Sequence, residues 1–173
     1  MAHDTFEHGA WLKGRIYAEK CDLSPDGNLL VYFVHDGKAF DTSYTHAWTG
    51  VSRLPWLTAL GLWSNGTTYG GGGRFVDDRH VLLRADPRIA AHPDHPGEGI
   101  ELGFASPDEH ASSNAVEGAE WSGRDRRGRV IHTKGGKLYR RSADGKRNVQ
   151  LADFNGLAPD PRPAPAWATR PLR

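Results

Sequence analysis

The sequence predicts an all-β protein, and three observations lead to this fold class. Glycine and proline, 21 and 11 of the 173 residues, fall between short runs of β-branched and aromatic residues rather than inside long amphipathic periods. Turn signals such as Asn65-Gly66 and Asp144-Gly145 separate those runs. A strand–turn–strand pattern also recurs along the chain. We therefore expect short strands joined by tight turns throughout.

The recurring pattern is a tight turn between two apolar strand-forming runs. Its three copies span residues 22–33, 75–83 and 121–132. The last turn residues of the copies, Gly27, Arg79 and Gly128, are 52 and 49 positions apart. This is close to the period of a four-stranded propeller blade. The spacing thus predicts about three propeller-like, four-stranded antiparallel blades.

The first blade is expected at about residues 14–65. Its strands are predicted near residues 15–21, 29–34, 47–53 and 57–63. Residues 54–63 are apolar at nearly every position, which is typical of a strand covered on both faces. Pro55 could equally begin a short helix.

The second and third blades are expected at about residues 70–105 and 119–155. In the second, a Pro-, His- and Asp-rich excursion over residues 86–99 interrupts the strand pattern. The third is more regular, with strands predicted at 119–122, 129–133, 137–141 and 149–154. Together the blades form one predicted domain, residues 1–157. A Pro-rich tail, 158–173, should be extended or disordered, with Trp167 as an anchor on this chain or on another.

A family resemblance adds to this interpretation. The turn Leu23-Ser24-Pro25-Asp26-Gly27 and the following Leu29-Leu30-Val31-Tyr32 resemble the TolB-type β-propeller repeat, whose second strand follows such a turn. The other copies match it loosely, with Asp77-Asp78 and Arg127-Gly128 at the turn. Residues 56–63, 70–73 and 137–141 also resemble a group of short uncharacterised bacterial proteins. The resemblance implies a fold and no activity.

The predicted number of blades has a consequence for assembly. Propellers typically have four to eight blades, so about three blades form a half-propeller with two open edges. Unpaired edges pair readily with another chain. We therefore expect a homodimer of about six blades, or another protein chain at the open edges. The alternative is an open sheet stack whose edges are covered by the long loop and the tail.

Composition predicts a cytoplasmic protein. The single cysteine, Cys21, excludes an internal disulfide and is expected to be a buried, inert thiol. The first residues contain early acids and no apolar run, and the longest apolar run covers only residues 29–34. Neither secretion nor membrane insertion is supported.

Charge is segregated along the chain although the net charge is only +1. Residues 85–120 carry eight acids and one base, whereas residues 124–147 carry ten bases and two acids. The basic segment contains one aromatic residue, Tyr139, and nucleic-acid binding favours a basic face with several aromatics. We therefore expect solvated strands paired with the acidic segment, and nucleic acid as an unlikely partner.

Two segments are candidate binding sites, and no metal or cofactor is expected at either. Tyr69 and Arg74 flank a run of four glycines that could form an anion nest, although close backbone approach is the favoured explanation. His92, Asp94 and His95 lie within four residues of one another. Their spacing matches no recognised metal motif, and the neighbouring prolines predict an exposed loop.

No catalytic residue is assigned, because the chain has no Gly-x-Ser-x-Gly or His-Glu-x-x-His motif and no paired-cysteine deaminase signature. The sequence thus predicts a non-enzymatic binding or protein-interaction module. The alternative is a hydrolase at the mouth of the propeller channel, with or without a metal. Its site would use residues from the set His80, His92, Asp94 and His95.

Overall fold

The computed structural model describes residue 6 and residues 9–37, 44–106, 116–125 and 127–172. Contacts group the described residues between Gly9 and Ala111, with those from Asp160 onward, in a larger unit. The described residues between Ser112 and Pro159, with Phe6, form a smaller unit. Strands dominate both units, so the all-β prediction is confirmed. Residues 107–115 of the acidic segment and Arg126 of the basic segment lie outside the described residues.

The larger unit contains a six-stranded antiparallel sheet. Its strands lie in the order β1-β3-β4-β5-β8, with β2 also paired to β3. The bounds are β1 Arg15–Ile16, β2 Asp22–Leu23, β3 Leu29–His35, β4 Ala47–Arg53, β5 Ala59–Ser64 and β8 Ala91–Pro96. The strands predicted near 29–34, 47–53 and 57–63 are confirmed. The one predicted over 15–21 is shorter, because Ala18–Lys20 form a 3-10 turn.

Strand β5 is buried on both faces, as its continuous apolar run predicts. Leu60 and Trp63 pack in one core cluster, and Leu62 packs in another on the opposite side of the sheet. Pro55 lies in a turn before the strand rather than in a helix. The central sheet is thus the structural core of the larger unit.

A second, three-stranded sheet faces the first. It consists of β6 Gly73–Phe75, β7 His80–Arg84 and β9 Glu101–Ala105. β6 pairs antiparallel with β7, whereas β9 pairs parallel with β7. The four-stranded antiparallel blade predicted over 70–105 is therefore wrong in strand number and direction. The excursion over 86–99 contains β8, which pairs with β5 of the first sheet. After this detour the chain re-enters the second sheet at the end where β7 begins, so β9 runs parallel to β7.

The larger unit has its main core between these two sheets. Val31 and Val51 of the first sheet pack with Val81 and Leu83 of the second, and all four are fully buried. The other face of the first sheet carries Tyr32, Val34, Trp48 and Leu62, covered by half-buried residues that include Leu12, Tyr44 and Leu57. Both faces of the central sheet are therefore sequestered from water.

The smaller unit is the four-stranded antiparallel sheet that the sequence predicts. Its strands follow chain order, β10 Trp121–Arg124, β11 Val130–Lys134, β12 Lys137–Arg141 and β13 Asn148–Asp153. Among its described residues only Val116 and His132 are buried. This sheet thus has little core of its own.

Two turns in different units share one hydrogen-bond pattern. In Ser24–Leu29, the Ser24 hydroxyl bonds the Asp26 carboxylate, and the Leu29 N–H donates to Ser24 Oγ at 2.9 Å. In the turn 142–147, Ser142 Oγ bonds Asp144, and the Arg147 N–H donates to Ser142 Oγ at 2.9 Å. The glycine that follows each Asp has a φ of 70°. The closest structural copy of the first turn is therefore Ser-Ala-Asp-Gly at 142–145, not the turn ending at Gly128.

The segment after residue 157 has no regular structure until a single helical turn, α1 Ala166–Thr169. The expectation of an extended or disordered tail does not include this turn. In the part of the chain that the structure describes, no helix has the length and apolar character needed to cross a bilayer.

Candidate functional site

The surface of the larger unit holds the segment 166–172 through one arginine. Arg53, the last residue of β4, donates from Nη1 to the carbonyls of Trp167, at 2.9 Å, and Arg170. Its Nη2 donates to the carbonyl of Pro171 at 3.1 Å. The planar guanidinium presents several N–H groups in a fixed geometry, which suits a row of carbonyls. Arg53 thus clamps the backbone of this segment.

Apolar contacts complete this docking. Ala168 is fully buried, and Leu172 packs against the core cluster between the two sheets. The Leu172 N–H also donates to the Glu98 carbonyl at 3.2 Å. The Trp167 side chain remains 47% exposed. The tail is therefore anchored on its own chain, one of the two outcomes left open by the sequence, and its backbone makes the polar contacts.

Two clefts border the docked segment. The first, about 320 Å³, is lined by Asp26, Asn28, Leu29, Arg53, Leu54, Asp78, Arg79, Trp167 and Leu172. The second, about 260 Å³, is lined by Thr58, Ala59, Leu60, Asp94, His95, Pro96, Glu98, Thr169 and Pro171. Polar groups dominate the first cleft, where Asp78 Oδ1 accepts the Asp26 N–H at 2.7 Å.

The structure brings together the predicted residues His92, Asp94 and His95, and places them on strand β8 rather than in the exposed loop that the sequence predicts. The rings of His92 and His95 are 5.6 Å apart, and His92 Nδ1 accepts the Asp94 N–H at 3.2 Å. The His92 side chain is almost buried, whereas that of Asp94 is exposed. His95 Nδ1 lies 2.8 Å from the Ala59 carbonyl.

The other predicted residues lie elsewhere in the larger unit. Tyr69 is 63% exposed in the turn before the glycine run, and Arg74 is exposed on β6. His80 begins β7 in the second sheet, beside Gly103.

The glycine run is used for packing and internal hydrogen bonds. The Gly71 N–H donates to the Arg84 carbonyl at 2.7 Å, and the Gly72 N–H donates to Thr49 Oγ1 at 2.9 Å. A Cβ at Gly71 would overlap the buried Phe33 ring, and one at Gly72 would overlap the Lys20 backbone. Two N–H groups that an anion nest needs are thus already bonded, and close approach explains these glycines.

Cys21 lies beside this region with its thiol protonated. Burial raises its pKa to about 11, and Sγ donates to the Tyr17 carbonyl at 3.1 Å. The thiolate, not the thiol, is the nucleophile. The structure therefore supports the expectation of an inert thiol.

The comparisons with known proteins add no functional assignment. No protein-family model, curated protein or solved structure matches this chain. The TolB-type resemblance stays a prediction. In the described part of the chain, no three His, Cys, Asp or Glu side chains are grouped to hold a metal ion.

Sequence reasoning missed the Arg53 clamp. Arg53 and Trp167 are 114 positions apart, and neither belongs to a motif. The one available signal was a lone tryptophan within a Pro-rich segment, which indicates an anchor but not the surface on which it docks.

Proposed function

We propose that the protein is a non-enzymatic interaction module of propeller type, completed at its open sheet edges by another protein chain, most simply a second copy. The observation that carries this proposal is the outer edge of β13. β13 pairs with β12 on one side, and no strand among the described residues pairs with its other side.

The composition of β13 favours pairing with another strand. Natural edge strands are usually protected by lysine, proline or a covering segment. β13 has neither lysine nor proline, and its single charged residue, Asp153, lies at its end. Val149, the second residue of the strand, is 44% exposed. The strand is therefore suited to add to a partner sheet.

The sparse core of the four-stranded sheet supports the same proposal. A small sheet needs a covered face for stability, and most strand residues here are only half-buried. A second copy packed on this sheet would supply that cover. The unknown ligand of the assembled module would be sought where the two copies meet.

Light scattering after gel filtration tests this proposal. We expect a mass of about twice 19.0 kDa that falls on dilution. Val149→Lys, which adds a charge to the edge, should weaken association about 10-fold or more. Val76→Lys changes an equally exposed valine of the larger unit and should leave association unchanged. A monomer at every concentration would exclude self-association.

A hydrolase is the second candidate, and one contact favours it. Since a carbonyl oxygen only accepts, the hydrogen bond between His95 and Ala59 puts the proton on His95 Nδ1. Nε2 of the neutral ring is then a proton acceptor, as in a general base. His95 lies beside Asp94 and Glu98 in the second cleft.

A panel of chromogenic esters tests the hydrolase. We expect turnover by the native chain and a loss of about 100-fold or more in His95→Gln. His35→Gln, at the end of β3 and outside the second cleft, should retain the native rate. Equal rates in native protein and His95→Gln would remove this candidate.

A further inference from the structure

The topology of the smaller unit brings two basic hairpin turns to one end of its sheet. The strands alternate in direction, so the β10–β11 turn and the β12–β13 turn lie at the same end. The β11–β12 turn at Gly135-Gly136 lies at the opposite end. Charges that are separate in the sequence are therefore neighbours in the fold. We call this region the basic end.

Among the described residues, seven cationic ones lie at the basic end. They are Arg124, Arg127, Arg129, Arg140, Arg141, Lys146 and Arg147. Its two acidic residues, Asp125 and Asp144, both accept hydrogen bonds within their own turns. Asp125 accepts the N–H groups of Arg127 and Arg129 and pairs with the Arg129 guanidinium, and Asp144 accepts from Ser142 and Lys146. The excess of positive charge is therefore large.

The turns hold two of the arginines in equivalent positions. Arg124 Nη1 donates to the Gly128 carbonyl at 2.8 Å, and Arg141 Nε donates to the Gly145 carbonyl at 2.9 Å. Each arginine thus ends a strand and bonds the residue four positions later, at the turn glycine. Both guanidinium groups are oriented by the protein, which lowers the entropic cost of using them in binding.

An aromatic pair lies on the same face as Arg141. Tyr139, two residues earlier on β12, is paired with His132 of β11, and their rings stack at 5.4 Å with an angle of 19°. Burial, and then the charges of Arg141 and Lys134, lower the pKa of His132, so it is neutral at pH 7. His132 is only 2% exposed, whereas Tyr139 is half-buried. Tyr139 is therefore the accessible ring.

We propose that the basic end binds single-stranded nucleic acid, with its arginines on the phosphates and Tyr139 stacked on a base. Six of the seven cationic residues are arginine, whose guanidinium matches phosphate in a bidentate geometry. An aromatic ring beside a basic groove is a typical stacking platform for unpaired bases. The turn tips offer no large apolar side chain for a lipid surface. A single-stranded polyanion with planar bases therefore fits best.

The basic segment has one aromatic residue, Tyr139, and for that reason the sequence favours solvated strands paired with the acidic segment. The hairpin register gathers most of its described cations at one end, close to Tyr139. The ion pairs at Arg129 and Lys137 are with Asp125 and Asp153 of the same sheet.

Fluorescence anisotropy of a labelled 15-nucleotide oligouridylate tests the proposal with the full chain at about 50 mM and 200 mM salt. We expect binding that weakens with salt, since bound phosphates release counterions. The triple variant Arg127→Glu/Lys146→Glu/Arg147→Glu should bind about 10-fold or more weakly. Arg79→Glu/Arg88→Glu/Arg162→Glu makes the same change in net charge within the larger unit. This control should stay within about 2-fold of the native affinity.

Variants at Tyr139 test the stacking. Tyr139→Ala should weaken binding about 5-fold or more, and Tyr139→Phe should retain it, because phenylalanine keeps the stacking ring. Circular dichroism of each variant verifies the fold. Absence of binding at 50 mM salt would overturn the proposal, as would equal losses in the two triple variants. Tighter binding to anionic vesicles or polyglutamate than to the oligonucleotide would assign the basic end to another partner class.

Discussion

Replacing Gly71 with alanine is expected to lower the free energy of unfolding of the larger unit by about 2–5 kcal/mol. Gly71 has a φ of 76°, and a residue with a side chain costs roughly 1–2 kcal/mol there. Its new Cβ would also overlap the Phe33 ring, which is fully buried and cannot move without displacing its neighbours. Overpacking of this kind costs about 1–3 kcal/mol.

Gly66→Ala is the matched control for this substitution. Gly66 has a φ of 67°, but its nearest neighbour would be Thr45 Cγ2 at 3.9 Å, so only the backbone cost applies. We expect a loss of about 1–2 kcal/mol. Urea unfolding followed by tryptophan fluorescence measures both. Equal losses in the two variants would refute the close approach of Gly71 to Phe33.

Arg53→Ala is expected to release the docked segment and to destabilise the larger unit by about 2–4 kcal/mol. The substitution removes all the hydrogen bonds to Trp167, Arg170 and Pro171, each worth about 1 kcal/mol net. It also loosens the packing of Leu172 on the core. Chymotrypsin, which cleaves after Trp167, should then cut the chain about 10-fold or more faster, because proteolysis follows local opening.

Two variants calibrate this effect. Arg53→Lys retains the charge but not the planar guanidinium with its several N–H donors. Its stability and cleavage rate should therefore lie between those of the native protein and Arg53→Ala. Arg88→Ala removes an exposed ion pair with Asp86 and should change stability by less than about 1 kcal/mol. Unchanged cleavage and stability in Arg53→Ala would mean that Arg53 does not clamp the segment.

Local features of the fold could be predicted from the sequence. The four strands of the smaller unit are joined by turns with a glycine at positive φ, at Gly128, Gly135-Gly136 and Gly145. Such hairpins depend on residues close together in the chain, so composition and spacing indicate them directly. The same holds for β3 and for the doubly buried β5.

Long-range pairing could not be predicted in this way. Residues 91–96 contain two histidines and two prolines and have no strand pattern, yet they pair with β5 as β8. Proline is tolerated there because β8 is an edge strand of its sheet. The parallel pairing of β9 with β7 follows from the same detour. These pairings depend on which sheet edge is open, and a single sequence does not contain that information.

The candidate sites also divide into those formed by chain neighbours and those formed by long-range contacts. His92, Asp94 and His95 are neighbours in the chain, so the sequence could group them. The Arg53 clamp and the basic end depend on tertiary contact and on hairpin register. In the sequence, Arg53 belongs to no motif, and the arginines of the basic end are spread along residues 124–147. Only the fold brings Arg53 to the segment 166–172 and the other arginines to one end of a sheet.

Amide hydrogen exchange across β13 tests most directly whether this edge pairs with another chain. Mass spectrometry would follow the peptide covering Asn148–Asp153 at low and high protein concentration. The proposed interaction module predicts that its amides become slower to exchange as concentration rises, while those of β7, the central strand of the three-stranded sheet in the larger unit, stay unchanged. Exchange at β13 that is independent of concentration, in a protein that stays monomeric, would contradict the account.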